Sequence, residues 1–222
     1  MNVVINAAWG SWYPKGQKRM VESLRATGYE GDILTWTNEV INSLHKDEHP
    51  YTMKAAAFAE AVKKGYTHIL WVDCSVYAIK NITPIFDVIE QKGIYFWKSG
   101  WNLAQSSADS DLQWAGITRD DAEALHECAS GIVGINMNIA KARHLLSVFM
   151  EANQAGVCST SRFHDNQSKD PRFKFARQDQ TAFTIAFHKS GYRNDQMFDQ
   201  GVYSSFPQES YSKDVCLIVH GL

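Results

Sequence analysis

The chain has 222 residues, 45% of them hydrophobic and 12% aromatic, enough apolar surface for one large core, and a single domain over 1–222 is the expectation. Lys and Arg total 22 against 24 Asp and Glu, so the formal charge of -2 makes no strong electrostatic case for nucleic acid. The scattered cysteines, Cys74, Cys128, Cys158 and Cys216, form no C-x-x-C pair, no signal-like apolar stretch opens the chain, and no run of about 18 apolar residues occurs; a cytoplasmic protein with reduced thiols and no membrane span is expected.

Val3-Val4-Ile5 predicts a first strand, followed by a Gly- and Pro-punctuated loop from Gly10 to Gly16. From Gln17, the helical spacing of Met20, Val21 and Leu24 predicts a helix that stops at Gly28. Asp32 to Trp36 reads as a second strand. After Pro50, a second helix shows Met53, Ala57, Phe58, Ala61 and Val62 on one face, ends at Gly65 and carries Lys54 in its first turn. His68-Ile69-Leu70-Trp71-Val72-Asp73 is a continuous apolar run closed by an acid, the pattern of a strand buried on both faces.

Pro84 to Lys92 predicts a short helix and Ile94 to Trp97 a strand. Lys98 to Glu127 is polar, holds Trp101, Trp114, Asp109 and Asp111, has weak periodicity, and reads as an irregular wall. A Gly-bearing strand follows over Gly131 to Asn136, then a helix over Ala140 to Ala152 and a loop rich in Ser and charge from Ser159 to Lys174. Asp179 to Lys189 returns to helix, and Val215 to Val219 predicts a closing strand before His220. Alternation of strand and helix predicts an α/β fold with an open, mostly parallel sheet that binds ligands beyond its strand C-termini. The loop after Ile5, the turn after Asp73 and the segment around His220 then share one rim.

That rim carries neither G-x-x-x-x-G-K-[ST] nor G-x-G-x-x-G, so a bound pyrophosphate needs another source of positive charge, and a divalent cation on carboxylate and imidazole would supply it. Asp73 serves such a cation or simply accepts hydrogen bonds at a strand end. His220 is its imidazole partner or a surface residue. Lys54 is a solvated lysine or one that reaches a phosphate or nucleobase carbonyl, and Lys15 is open to the same two readings. Trp9 and Trp12 offer indoles for a base to stack on, or pack in the core. Gly131 and Gly134 admit close approach of a ligand or of a packed helix, and Asp179 reads as the N-terminal cap or first-turn acid of its helix.

Several segments together resemble the GT-A glycosyltransferases. The run ILWVDCSVYAIKNITPIFD resembles the strand ending in their D-x-D metal motif, with Ser75 in place of the second acid. His49-Pro50-Tyr51-Thr52-Met53-Lys54, ASGIVGIN and RQDQTAF resemble further segments, the last the D-Q motif of the retaining, glycogenin-like branch, and the terminal IVHGL resembles the start of that branch's H-x-x-G motif. The resemblance implies a single-domain GT-A (Rossmann-like) fold, its central sheet flanked by helices, and transfer of a sugar from a nucleotide diphosphate, UDP foremost, to an acceptor hydroxyl with retained configuration. It implies donor contacts at Ala7, Trp9, Trp12, Lys15, Lys54, Asp73, Ser75 and Gly131. Mn2+ or Mg2+ would sit on Asp73, Ser75 and His220, and Asp179 and Gln180 would face the reacting carbon. The acceptor is left open among glycan, protein, small molecule and modified nucleic acid. An inverting reaction would instead need a base, with Asp109, Asp111 and Asp165 the candidates. A nucleotide-sugar binder without turnover and a sugar nucleotidyltransferase are the alternative functions.

Overall fold

The structure is a computed structural model and describes residues 1–38, 52–157 and 168–220. Its elements run β1 (Asn2–Ala8), α1 (Tyr13–Ala26), β2 (Asp32–Thr37), α2 (Met53–Lys63), β3 (His68–Val72), β4 (Val76–Ala78), α3 (Thr83–Lys92) and β5 (Ile94–Asn102). Three short helices follow, α4 (Leu103–Ser106), α5 (Asp109–Ala115) and α6 (Arg119–Glu123), then β6 (His126–Asn136), α7 (Ala140–Gln154), α8 (Asp179–Lys189), β7 (Ser204–Ser205) and β8 (Leu217–Val219).

The strands form a five-stranded sheet in the order β2-β1-β3-β6-β5. Period-two alternation sends successive side chains to opposite faces. Val3, Ile5, Ile69, Trp71, Val133 and Ile135 meet α2, α7 and α8 in one buried cluster, while Val4, Leu70, Val72 and Ile132 meet α1 and α3 in the other. Helices on both faces explain why these strands are apolar without interruption.

The α/β architecture agrees with the sequence, but the sheet is less parallel than expected. β1 runs parallel to β2 and β3, whereas β6 is antiparallel to both β3 and β5. The reason lies in the connection from β5 to β6. It is made by α4 to α6 on one side of the fold, and β6 returns beside β5 without crossing over. The stretch expected to be irregular is therefore strand to Asn102 and three short helices, two of them capped by side chains: Asn102 accepts from Gln105 N, and Thr118 accepts from Asp121 N. α1 also begins earlier than its apolar spacing suggested, at Tyr13, with Pro14 in its first turn, so Lys15 lies on a helix and not in a loop.

A three-stranded sheet, β4-β8-β7, lies beside the main one. β8 is antiparallel to β4, and His220 N donates to Ser75 O at 2.8 Å. No helix among the described residues is long and apolar enough to cross a membrane. Cys74, Cys128 and Cys216 are buried free thiols, and Cys158 lies outside the described residues.

Candidate functional site

β3 ends at Val72, and Asp73 follows at its C-terminal edge. Trp71 and Asp73 are two apart, so they share a face, and the buried Trp71 donates from Nε1 to Asp73 Oδ1 at 2.5 Å. Asp73 N donates to Gly131 O at 2.8 Å, and a Cβ at Gly131 would stand 3.3 Å from Asp73 Oδ2. Glycine at 131 leaves that carboxylate oxygen room. Gly134 has a different purpose: a Cβ there would meet Ile89 Cδ1 at 2.5 Å, so this glycine lets α3 pack on the sheet.

Lys54 is buried, not solvated, and its ammonium is engaged within the protein. It is 5% exposed, its ammonium lies 2.5 Å from Asp179 Oδ2 and 3.4 Å from Asp73 Oδ1, and it donates to Ser130 O at 2.8 Å. The Trp71 ring lies beneath it, 4.8 Å from Nζ. The 2.5 Å approach to Asp179 Oδ2 is an ion pair without the alignment of a good hydrogen bond. Burial works against the lysine charge, but Asp179 and then Asp73 outweigh it and hold the ammonium above the ordinary lysine range. Burial, with the Asp179 charge adding to it, raises the Asp73 carboxyl above the usual carboxylate range despite the attraction of Lys54. The Asp73 side chain is still 35% exposed, which moderates that effect.

Asp179 opens α8 and is 8% exposed. Gln178 before it has φ +44°, a left-handed conformation rare outside glycine, so the backbone that presents Asp179 and Gln180 is strained. Gln180 Oε1 accepts from Ser130 N at 3.2 Å. Ser130 and Gly131 of β6 thus fasten Lys54, Gln180 and Asp73 together through their backbone. β1 is joined to the same rim by a buried network: Asn6 Nδ2 donates to Val72 O at 2.6 Å, and Gln17 Nε2 donates to Asn6 Oδ1 at 2.8 Å.

Of the residues expected at the rim, Asp73, Lys54, Gly131, Asp179 and Gln180 form one contiguous cluster. Ser75 and His220 adjoin each other through the β4–β8 backbone pairing. Ala7 is buried near the end of β1, and its carbonyl faces Cys74 Sγ at 3.9 Å. Trp9 packs against the core, while Trp12 is 56% exposed with the Lys15 ammonium 5.6 Å from its ring centroid. Asp109 pairs with Arg119 at 2.5 Å, and Asp111 accepts from Ala108 N at the start of α5. His49, Pro50, Tyr51, Asp165, Gly221 and Leu222 lie outside the described residues.

Sequence reasoning missed Glu127, a fully buried acid on β6 that accepts from Ser99 Oγ at 2.5 Å beside Ser106, Arg177 and Gln180. Burial raises its carboxyl above the ordinary range. A lone Glu ahead of a strand carries no signal of this.

As for a cation, no group of three His, Cys, Asp or Glu among the described residues is placed to hold one. Trp71 and Lys54 engage Asp73 Oδ1 and leave Oδ2, while Ser75 and His220 meet through their backbones. One such carboxylate oxygen would suit an ion that keeps most of its ligands from water and substrate phosphate, and not a preformed cage.

No family model matches the chain, and no curated protein matches its sequence. Its structure resembles solved glycosyltransferases. Mouse xyloside xylosyltransferase 1 superposes with TM-score 0.55 at 9% identity, over 99% of this chain and 97% of that one. A glycosyltransferase involved in glycosylating the major capsid of PBCV-1 gives 0.54 at 12%, over 98% and 91%. WbbM, a bifunctional glycosyltransferase, gives 0.53 at 13% over 99% of this chain, which spans only 45% of that protein's length. The chain has the GT-A glycosyltransferase fold.

Proposed function

We propose that this chain is a glycosyltransferase that takes a sugar from a nucleotide diphosphate, UDP being the favoured form, and passes it to an acceptor hydroxyl with a divalent cation and with retention. The observation that carries the reading is the buried Lys54 between Asp73, at the end of a central strand, and Asp179, at the start of α8, within this fold. Fold and charge together support it. Lys54 reaches both carboxylates at once, 2.5 Å from Asp179 Oδ2 and 3.4 Å from Asp73 Oδ1, and so holds them together at the rim. A cation bound with the diphosphate would act as a Lewis acid for the departing phosphate.

Asp179, already paired with the Lys54 ammonium, would anchor sugar hydroxyls, with Gln180 beside it. In the reaction, the anomeric C–O bond breaks and its electron pair goes to the diphosphate. The acceptor oxygen bonds to the anomeric carbon on the same face, and its proton goes to the departing diphosphate. Of the base candidates for an inverting route, Asp109 pairs with Arg119 and Asp111 accepts from Ala108 N, which supports the retaining route.

A panel of UDP-sugars, followed by NMR for UDP release and for the anomeric configuration of the product, tests the reading. One accepted donor and a retained product are expected. Binding without turnover would favour a nucleotide-sugar-binding protein, and an inverted product would exclude the retaining route.

A further inference from the structure

Two open hollows adjoin beyond the end of β5, of about 260 and 210 Å3, and share Asn102, Gln105 and Glu123 in their walls. Each is smaller than the roughly 300 Å3 at which compact small-molecule pockets begin. Together they make a groove suited to an extended, jointed ligand. The geometry points to a carbohydrate acceptor in this groove, a proposal that rests on the glycosyltransferase reading and gives its acceptor a chemical class.

Trp101 stands at one end, 39% exposed, in a wall of the smaller hollow. The Phe175 ring braces it edge-on at 5.0 Å and 84°, and the Arg177 guanidinium lies 4.5 Å from that phenyl ring's centroid. An indole held so offers a flat apolar surface to the C–H face of a sugar ring. Trp101 also joins the site: its N–H donates to Ser99 Oγ at 3.1 Å, Ser99 donates to Glu127, and Glu127 lies against Gln180.

The rest of the lining suits hydroxyl groups. Asn102 and Gln105 use their amide oxygens to accept from each other's backbone N–H at 3.1 Å, which fixes both side chains and leaves their NH2 groups as donors. Glu123 supplies acceptor oxygens. The charges are largely matched within the protein, since Lys98 pairs with Asp199 at 2.7 Å and Arg172 with Asp120, Glu123 and Asp170 at 2.8 to 3.1 Å. Such balance gives a polyanion little to bind. A peptide adding as a strand meets an occupied edge, because Phe198 already exchanges backbone hydrogen bonds with Phe96 and Lys98 of β5.

The test is a printed array of neutral and acidic oligosaccharides probed with the UDP-loaded protein, its Trp101→Ala variant and its Trp101→Phe variant, with UDP affinity measured on the same preparations. A defined set of glycans should be retained by the parent protein, lost by at least about tenfold in Trp101→Ala and partly kept in Trp101→Phe, where a ring still meets Phe175. The proposal is overturned if the parent binds UDP yet retains no glycan, if Trp101→Ala binds glycans equally well, or if sugar passes to an unglycosylated peptide while the array stays bare. Failure to bind UDP would contradict the donor reading instead, and the array would still decide the groove.

Discussion

Lys54 shows how far a single residue's meaning depends on partners distant in sequence. Its two carboxylates stand at positions 73 and 179, so the triad is a tertiary fact that no local pattern carries. Lys54→Met would leave Asp73 and the buried Asp179 facing each other without a counter-charge, a loss of about 3–5 kcal/mol near neutral pH. The sign follows from proton binding: the Asp73 carboxyl, raised in the folded state, is stabilising when protonated, so the deficit should shrink as pH falls toward the ordinary carboxylate range near 4 and grow as it rises. Thermal melts of both proteins from pH 4.5 to 8 measure this, and a pH-independent deficit would contradict it. Asp73 and Asp179 themselves were legible, one as an acid closing an apolar strand and the other within a D-Q pair. Ser75 is the departure from the family pattern. At the proposed cation site, Ser75→Asp would add a second charged oxygen ligand, and manganese affinity should rise about tenfold or more; an unchanged titration would mean that Ser75 does not face the ion.

At the scale of elements, Gly131 and Gly134 sit three residues apart on β6 and do different work. Gly134→Ala drives a methyl into Ile89 and Tyr95 and should cost about 1–3 kcal/mol, read from denaturant midpoints. Gly131→Ala meets the half-exposed Asp73 carboxylate at 3.3 Å and should lower turnover while changing stability by less than about 1 kcal/mol. Equal stability losses would contradict the assignment. α5 carries its own signature, because burial raises Asp111 to about 7 despite the hydrogen bond from Ala108 N and the pull of Arg119. Its contribution is fully present below pH 4 and is lost as pH rises from about 4 to 7, on the order of 4 kcal/mol in all. Asp111→Asn, which keeps an acceptor for Ala108 N, should flatten the melting temperature over that window; an unaltered slope would refute the attribution. The helices from 140 and 179 and the strands at 2, 32 and 68 were readable from period and punctuation. The direction of β6 was not, because it depends on how the 103–125 segment folds back, and its three short helices are too brief for periodicity to register.

For the whole molecule, the fold brings the ends of β1, β3 and β8 and the start of α8 to one rim, where the proposed diphosphate-linked donor would sit. The α/β class was readable from alternating elements, while Glu127 and the groove at Trp101 became visible only with tertiary structure. On the proposed function, the Asp73 rim binds a nucleoside diphosphate together with a divalent cation. Calorimetric titration of UDP into the protein with Mn2+, in EDTA, and into Asp73→Asn with Mn2+ tests it most directly. Binding is expected in the first case and a loss of at least about a hundredfold in the other two; undiminished binding in EDTA, or equal binding by Asp73→Asn, would contradict this assignment.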